Sequence, residues 1–227
     1  MLARILRALE NQSYPRRAWA AAIADMISPV LVPGATIVDA PCGGGVIAFR
    51  LARSFPGCRL ELRDISGAAT EAAIHRLRGR ADVRRGDVRD LDATPGHDLW
   101  ILVNSWFLLD DPDSLVRSKR VRFAHLLVLC DDVESENYRA FCARHPEFHG
   151  GLNRNAQPVD ELIARVEGTG YRLIHSRPLG FIPLHARNES LAASLLFSAC
   201  EGVARRRGAR PGYWAGLFER TADDPLP

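Results

Sequence analysis

Ile37-Val38-Asp39-Ala40-Pro41-Cys42-Gly43-Gly44-Gly45, continued by Val46 to Ser54, decides how the rest of the chain is read. Residues 35–39 read as a short buried strand, the three glycines as a tight turn, and Val46 to Ala52 as the helix that the turn launches. Such a strand, turn and helix form a nucleotide-binding unit. Glycine lets the backbone approach a ligand, and the free N–H groups at a helix start favour an anionic or polar ligand group. Glycines after a strand are a weak signal by themselves, so acids at the ends of the next strands must carry the reading.

Downstream, strand and helix alternate. Cys58 to Arg63 reads as a second strand ending at Asp64, with a helix over residues 68–78. Asp82 to Arg85 is a third strand closed by Gly86-Asp87-Val88. The run Asp98-Leu99-Trp100-Ile101-Leu102-Val103 is apolar throughout, as expected of a strand covered on both faces, and ends at Asn104-Ser105-Trp106-Phe107. His125 to Cys130 is a fifth strand, ending at Asp131-Asp132, which suit a solvated loop start as well as a substrate or metal site. Helices over 134–144 and 158–167 follow, then a sixth strand from Tyr171 to Ser176, a helix marked by Leu191, Leu195, Ala199 and Val203, and a last strand from Tyr213 to Arg220. Two amphipathic helices precede the first strand, one carrying Leu2, Ile5, Leu6 and Leu9, the other Trp19, Ile23, Met26, Ile27 and Val30. They read as cover for the sheet edge or as part of a lid with Tyr14 or Trp19 reaching a ligand.

Alternation from residue 35 to 177 implies a parallel sheet with helices on both faces, because parallel neighbours need crossover connections. The expected fold class is therefore α/β, a Rossmann-like doubly wound sheet, mostly parallel, with two N-terminal helices. One domain is expected, with residues 1–33 as a helical cap, 34–221 as the core and 222–227 as a tail. In such sheets ligands sit beyond the carboxyl ends of the strands, where Asp39, Asp64, Asp87, Asn104 and Asp131 all fall.

Composition narrows the partners. The net charge of +3 implies no dominating phosphate-binding surface, so nucleic acid is not expected. Five cysteines, odd in number and without a CxxC pair, suit a cytoplasmic protein with reduced thiols and no structural metal. Asp25, Ser28, Pro29 and Pro33 interrupt the apolar stretch after Arg16-Arg17, which argues against a membrane span or export signal.

Asp64 lies about twenty residues beyond the turn, where a carboxylate at the second strand tip accepts both hydroxyls of a ribose. A nucleoside ligand fits, but Gly43-Gly44-Gly45-Val46-Ile47-Ala48 also satisfies the GxGxxA fingerprint of dinucleotide enzymes, which keeps a nicotinamide-linked oxidoreductase open. Asp39 weighs against it, since an acid before the turn repels a pyrophosphate and can hold an ammonium group. Asp87-Val88 offers a carboxylate and an amide to an adenine edge.

With these residues in view, the chain resembles the class I S-adenosylmethionine-dependent methyltransferases. DAPCGGG matches the family's first motif at Asp39, Gly43 and Gly45, and departs from it at Pro41, where glycine is usual. The resemblance implies donor contacts at Asp39, Ala40, Pro41, Gly43, Gly45, the ribose acid Asp64 with Ile65, the adenine pair Asp87 and Val88, and Asn104 and Trp106 on the fourth-motif edge that runs from Asn104 to Phe107. It implies S-adenosyl-L-methionine as cofactor, S-adenosyl-L-homocysteine as product, and a seventh, antiparallel strand, for which Tyr213 to Arg220 is the candidate.

Asn104-Ser105-Trp106-Phe107 lacks the two prolines of the NPPY-type motif of amino-methylating enzymes, which favours a small-molecule acceptor over nucleic acid or protein. A fold member that binds the nucleoside without transferring methyl is the remaining alternative. On the acceptor side, Phe107, Tyr14 and His145 are the candidates, and His149, in a loop that Gly150-Gly151 lets bend, is the candidate general base. Trp106 and Phe107 stack on the adenine, wall the acceptor pocket or pack in the core. The chain is expected to act as a monomer or homodimer.

Overall fold

The structure, a computed structural model, describes residues 14–91, 97–119, 123–144, 157–180, 200, 202–209 and 211–221. Its frame is a seven-stranded sheet in the order β3-β2-β1-β4-β5-β7-β6. The strands are β1 (Thr36–Asp39), β2 (Arg59–Asp64), β3 (Asp82–Arg85), β4 (His97–Val103), β5 (Phe123–Asp131), β6 (Tyr171–Leu179) and β7 (Tyr213–Arg220). Strands β1 to β5 pair in parallel, while β7 slots between β5 and β6 and runs antiparallel to both. The helices are α1 (Tyr14–Ile27), α2 (Val46–Ser54), α3 (Gly67–Leu77), α4 (Pro112–Lys119), α5 (Glu136–Arg144) and α6 (Val159–Glu167).

Side-chain alternation splits the interior into two cores. Ile37, Leu99, Ile101, Leu127 and Leu129 point to one face, against Ile23 and Ile27 of α1, Leu51 of α2 and Leu77 of α3. Their neighbours Val38, Trp100, Leu102, Leu126 and Val128 point to the other, against Val116 of α4 and Leu162 and Val166 of α6. Burial on both faces explains why β4 and β5 are apolar without interruption. Fully burying each such side chain contributes about 1.5–3 kcal/mol.

The edges differ from the centre. Three of the four residues of β3 are exposed, and Arg84 pairs with Asp82 along it, a charged edge that resists further strand pairing. At the opposite edge β6 exposes Arg172, Ile174 and His175 and carries an irregularity between Leu173 and His175. Side-chain bonds tie the sheet to its connections: Trp100 Nε1 donates to the Ala40 carbonyl at 2.8 Å and Tyr171 Oη to the Phe123 carbonyl at 3.1 Å.

Expected elements recur with small shifts in their ends. The main extension is β6, which runs to Leu179 because β7 pairs with it along its whole length. The helix α1 packs with Ala20, Ile23 and Ile27 in the first core and reaches the edge strand β6, where Asp25 pairs with Arg177 at 3.1 Å. The first N-terminal helix, the 222–227 tail and most of the helix marked by Leu191 to Val203 lie outside the described residues.

Candidate functional site

The glycine turn is tied directly to β2. Cys42 N–H donates to the Arg63 carbonyl at 3.0 Å and Gly45 N–H to the Cys42 carbonyl at 3.0 Å, closing the turn. Gly43 and Gly45 have φ of 50° and 68°, a left-handed backbone that favours glycine. At Gly45 a Cβ would also come within 3.0 Å of Ala73 Cβ and 3.3 Å of Leu62 Cδ2, so α3 would have to give way by a few tenths of an ångström.

Asp64 is buried at the β2 tip, and both of its oxygens are engaged. Oδ2 accepts from Gly43 N–H at 2.8 Å and Oδ1 from Ser66 N–H at 2.9 Å. Ser66 in turn caps α3 by accepting from Ala69 N–H. Each carboxylate oxygen retains a lone pair, so Asp64 can hold the turn and still accept a hydroxyl. At the β3 tip Asp87 works in a similar way: Oδ1 accepts from Arg89 N–H at 2.8 Å, and Oδ2 takes Arg89 Nε at 3.0 Å. The Arg89 side chain holds the Asp87 carboxyl below its usual range.

Asp39 differs from both. It is 3 % exposed, and its carboxylate accepts no hydrogen bond among the described residues. Burial first, and then the charge of Asp64, push its pKa up to about 8. A carboxylate so placed is short of a cation. Beside it, burial, Asp39 and Asp64 push the Cys42 thiol far up, so Cys42 is filler in the turn and no nucleophile.

A hollow of about 540 Å³ opens beyond the tips of β1, β2 and β3, within the range of small-molecule and cofactor sites. Pro41, Asp64, Ile65, Asp87 and Val88 line it, five of the expected residues in one place. Ile65 is 66 % exposed and Leu108, on another part of the wall, 51 %, two apolar side chains left open where the hollow needs apolar walls. Leu108 and Leu109 were not foreseen. Their signal in the sequence is the apolar run Trp106 to Leu109, which continues past Phe107 after β4.

Other candidates fall elsewhere. Ala40 lies under the turn with its carbonyl taken by Trp100, so it contributes to the floor and does not line the hollow. Asn104 has φ 48° at the end of β4, its N–H bonded to the Leu129 carbonyl at 2.7 Å and its Oδ1 buried without a partner among the described residues. Trp106 does not reach the donor hollow and takes the core-packing place among its alternatives: it is 1 % exposed in the second core and lines a separate, small cavity together with Phe107, because the short 3-10 turn Trp106–Leu108 directs it toward α6. Tyr14 opens α1, and its side chain, like His145 and His149, lies outside the described residues.

No protein-family model matches the chain, and no curated protein sequence does. Solved structures do match. Geranyl diphosphate methyltransferase, in complex with GPP and sinefungin, superposes with a TM-score of 0.63 at 18 % identity over 90 % of this chain and 78 % of its own. A SAM-dependent methyltransferase of Thermotoga maritima, a possible histamine N-methyltransferase, gives 0.61 at 16 % identity over 96 % of both chains. Mitomycin 7-O-methyltransferase gives 0.60 at 19 % identity over 87 % of this chain, which spans only 53 % of that protein's length. The architecture is thus the Rossmann-like fold of class I S-adenosylmethionine-dependent methyltransferases.

Proposed function

We propose that this protein is a methyltransferase that uses S-adenosyl-L-methionine and acts on a small-molecule acceptor. The observation that carries the reading is Asp39, a buried carboxylate with no hydrogen-bond donor among the described residues, at the β1 tip next to a glycine turn and a hollow with apolar walls that Asp64 and Asp87 also line. A cationic nucleoside answers all three features. Asp39 would hold its ammonium group, Asp64 its ribose hydroxyls through the remaining lone pairs, and Asp87 with the Val88 amide its adenine edge. Ile65 and Leu108 would cover the ring.

When bound, S-adenosyl-L-methionine supplies an electrophilic methyl on a sulfonium. The residues of this chain then have three tasks. The glycine turn and the strand-tip acids fix the donor end, so that in-line displacement by the acceptor is a matter of alignment, which can lower the barrier by several kcal/mol, roughly 7–11 in the best cases. The residues following β4 and β5, Phe107 and His145, and Tyr14 at the start of α1 are the candidates that orient the acceptor. A proton leaving a hydroxyl acceptor needs a base, for which His149 remains the candidate. S-adenosyl-L-homocysteine and the methylated acceptor are the products.

Mass spectrometry of a small-molecule panel incubated with labelled methyl donor tests the proposal, with Asp64→Ala as control. Label transfer by the wild type and its loss in the variant are the expected results. Calorimetric binding of NADH without binding of S-adenosyl-L-homocysteine would overturn the reading. Among the described residues no helix is long and apolar enough to cross a membrane. Cytoplasmic location, a monomer or homodimer, and no nucleic-acid partner belong to the same proposal.

A further inference from the structure

A second cavity lies behind the β4 tip, between the end of β5 and the helices α5 and α6. Trp106, Phe107, Cys130, Asp131, Tyr138 and Gln157 are among its lining residues, and it has room for about one water-sized group, ≈ 10 Å³. Two of these side chains carry buried N–H donors, Trp106 Nε1 and Gln157 Nε2, that have no hydrogen-bond partner among the described residues. Trp106 is itself 1 % exposed. Buried donors left unpaired are costly, and a cavity of this size has room for one accepting atom.

The orientation of Gln157 is fixed. Its Oε1 accepts from Arg165 Nη1 at 2.8 Å, so its amide N–H₂ must serve another direction. Arg165 is committed in turn, with Nε bonded to both Asp113 oxygens at 3.0 and 3.1 Å and its guanidinium 6.0 Å from the Trp106 ring centroid. The lining therefore offers two unpaired neutral donors, the Tyr138 side chain and the carboxyl of Asp131, while Arg165 stands outside it, held by Gln157 and Asp113. An anion beside Asp131 gains nothing from such walls. A carbonyl oxygen, with two lone pairs, no proton and no net charge, matches them.

We propose that this cavity is a subsite for a neutral carbonyl oxygen of the methyl acceptor, held by Trp106 Nε1 and Gln157 Nε2. The assignment rests on the methyltransferase reading above. Its link to the donor site is the segment after β4, where Trp106 and Phe107 line the cavity while Leu108 and Leu109 line the donor hollow. An oxygen seated here anchors an acceptor against the same segment that lines the donor hollow. Burial pushes the Asp131 pKa up to about 7, which reduces the carboxylate charge that a neutral oxygen must tolerate below that pH.

The indole N–H of Trp106 reports on its own hydrogen bond in a ¹⁵N–¹H spectrum of the full chain. Four tryptophans give four such signals, and triple-resonance assignment, checked with Trp106→Phe, identifies the one needed. The probes are acetophenone and ethylbenzene, which differ by the carbonyl, added to protein with and without saturating S-adenosyl-L-homocysteine. The expected result is a downfield move of the Trp106 signal with acetophenone and about a fivefold preference over ethylbenzene, falling to within about twofold in Gln157→Glu. That variant keeps the oxygen facing Arg165 and removes the donor, and it changes a partly exposed side chain, so it does not depend on Trp106→Phe folding. A Trp106 signal indifferent to acetophenone, as when the cavity holds only water, overturns the subsite. So does an equal response to both probes, or a preference unchanged in Gln157→Glu. Calorimetry separates the two levels: failure of S-adenosyl-L-homocysteine to bind overturns the acceptor role through its parent reading, whereas normal binding with an indifferent indole overturns the subsite alone.

Discussion

Asp39 concentrates the cost of the proposed site in one side chain. Its carboxyl titrates near pH 8 in the folded chain against a reference of 3.8, because burial and Asp64 disfavour its charge. Between those values the folded state holds a proton that the unfolded state has released, so this group lowers stability as pH rises from about 4 to 8. Asp39→Asn should therefore raise the stability of the ligand-free protein at pH 8.5 by about 5 kcal/mol and leave it almost unchanged at pH 4, read by urea unfolding at both pH values. A ligand ammonium reverses the balance, since it needs the ionised carboxylate. Affinity for S-adenosyl-L-homocysteine should climb toward tenfold per pH unit well below pH 8, with proton release on binding, and both effects should vanish in Asp39→Asn. Calorimetry in buffers of different ionisation enthalpy measures that release. Legibility at this scale was uneven. The acids at 39, 64 and 87 stand out by position, but position alone does not separate a ligand-binding role from local capping for Asp64 and Asp87. The geometry joins them: Asp64 ties the glycine turn to α3 and faces the hollow with the lone pairs that remain.

Among the elements, the glycine turn shows how one motif divides its labour. Gly43 and Gly45 both have positive φ, but only Gly45 is pressed against α3 and β2, whereas nothing lies within 4 Å of a Cβ at Gly43. Gly45→Ala pays for backbone strain and for displacing Ala73 and Leu62, about 2–4 kcal/mol together. Gly43→Ala pays for strain alone, about 1–2 kcal/mol. Because Gly43 N–H holds Asp64 Oδ2, the second variant should lose affinity for S-adenosyl-L-homocysteine out of proportion to its stability loss. Denaturant unfolding and calorimetry on the same two proteins check both halves. The turn was legible because three successive glycines after a β-branched run have few other uses. The segment after β4 was harder to read, since Trp106, Phe107, Leu108 and Leu109 are all apolar and no periodicity tells which face a core and which a ligand. A 3-10 turn, too short to leave a pattern, makes that division.

At the scale of the molecule, parallel order from β1 to β5 followed from alternation, and the last strand's reversed sense came with the resemblance. The position of β7 between β5 and β6, and the seat of α1 on a sheet face, depend on long-range packing that leaves little local pattern. That topology puts every proposed donor contact at one end of β1 to β4 and keeps β6 and β7 apart from it. Ligand protection should follow the same division. With S-adenosyl-L-homocysteine at a hundred times its Kd, linkage adds about 2.7 kcal/mol, enough to raise the melting temperature of a chain this size by about 5–10 °C. Hydrogen exchange limited by local opening should then slow most in residues 39–46, 63–67, 86–90 and 104–111, where backbone and ligand meet. Amides in 172–177 and 214–219 should slow only as far as global unfolding governs them, because those strands gain no contact and share only the whole-chain stabilisation. Equal slowing of the β6–β7 pair and the strand tips under conditions of local opening would mean that the ligand sits at the antiparallel edge, and the donor hollow would have to be reassigned.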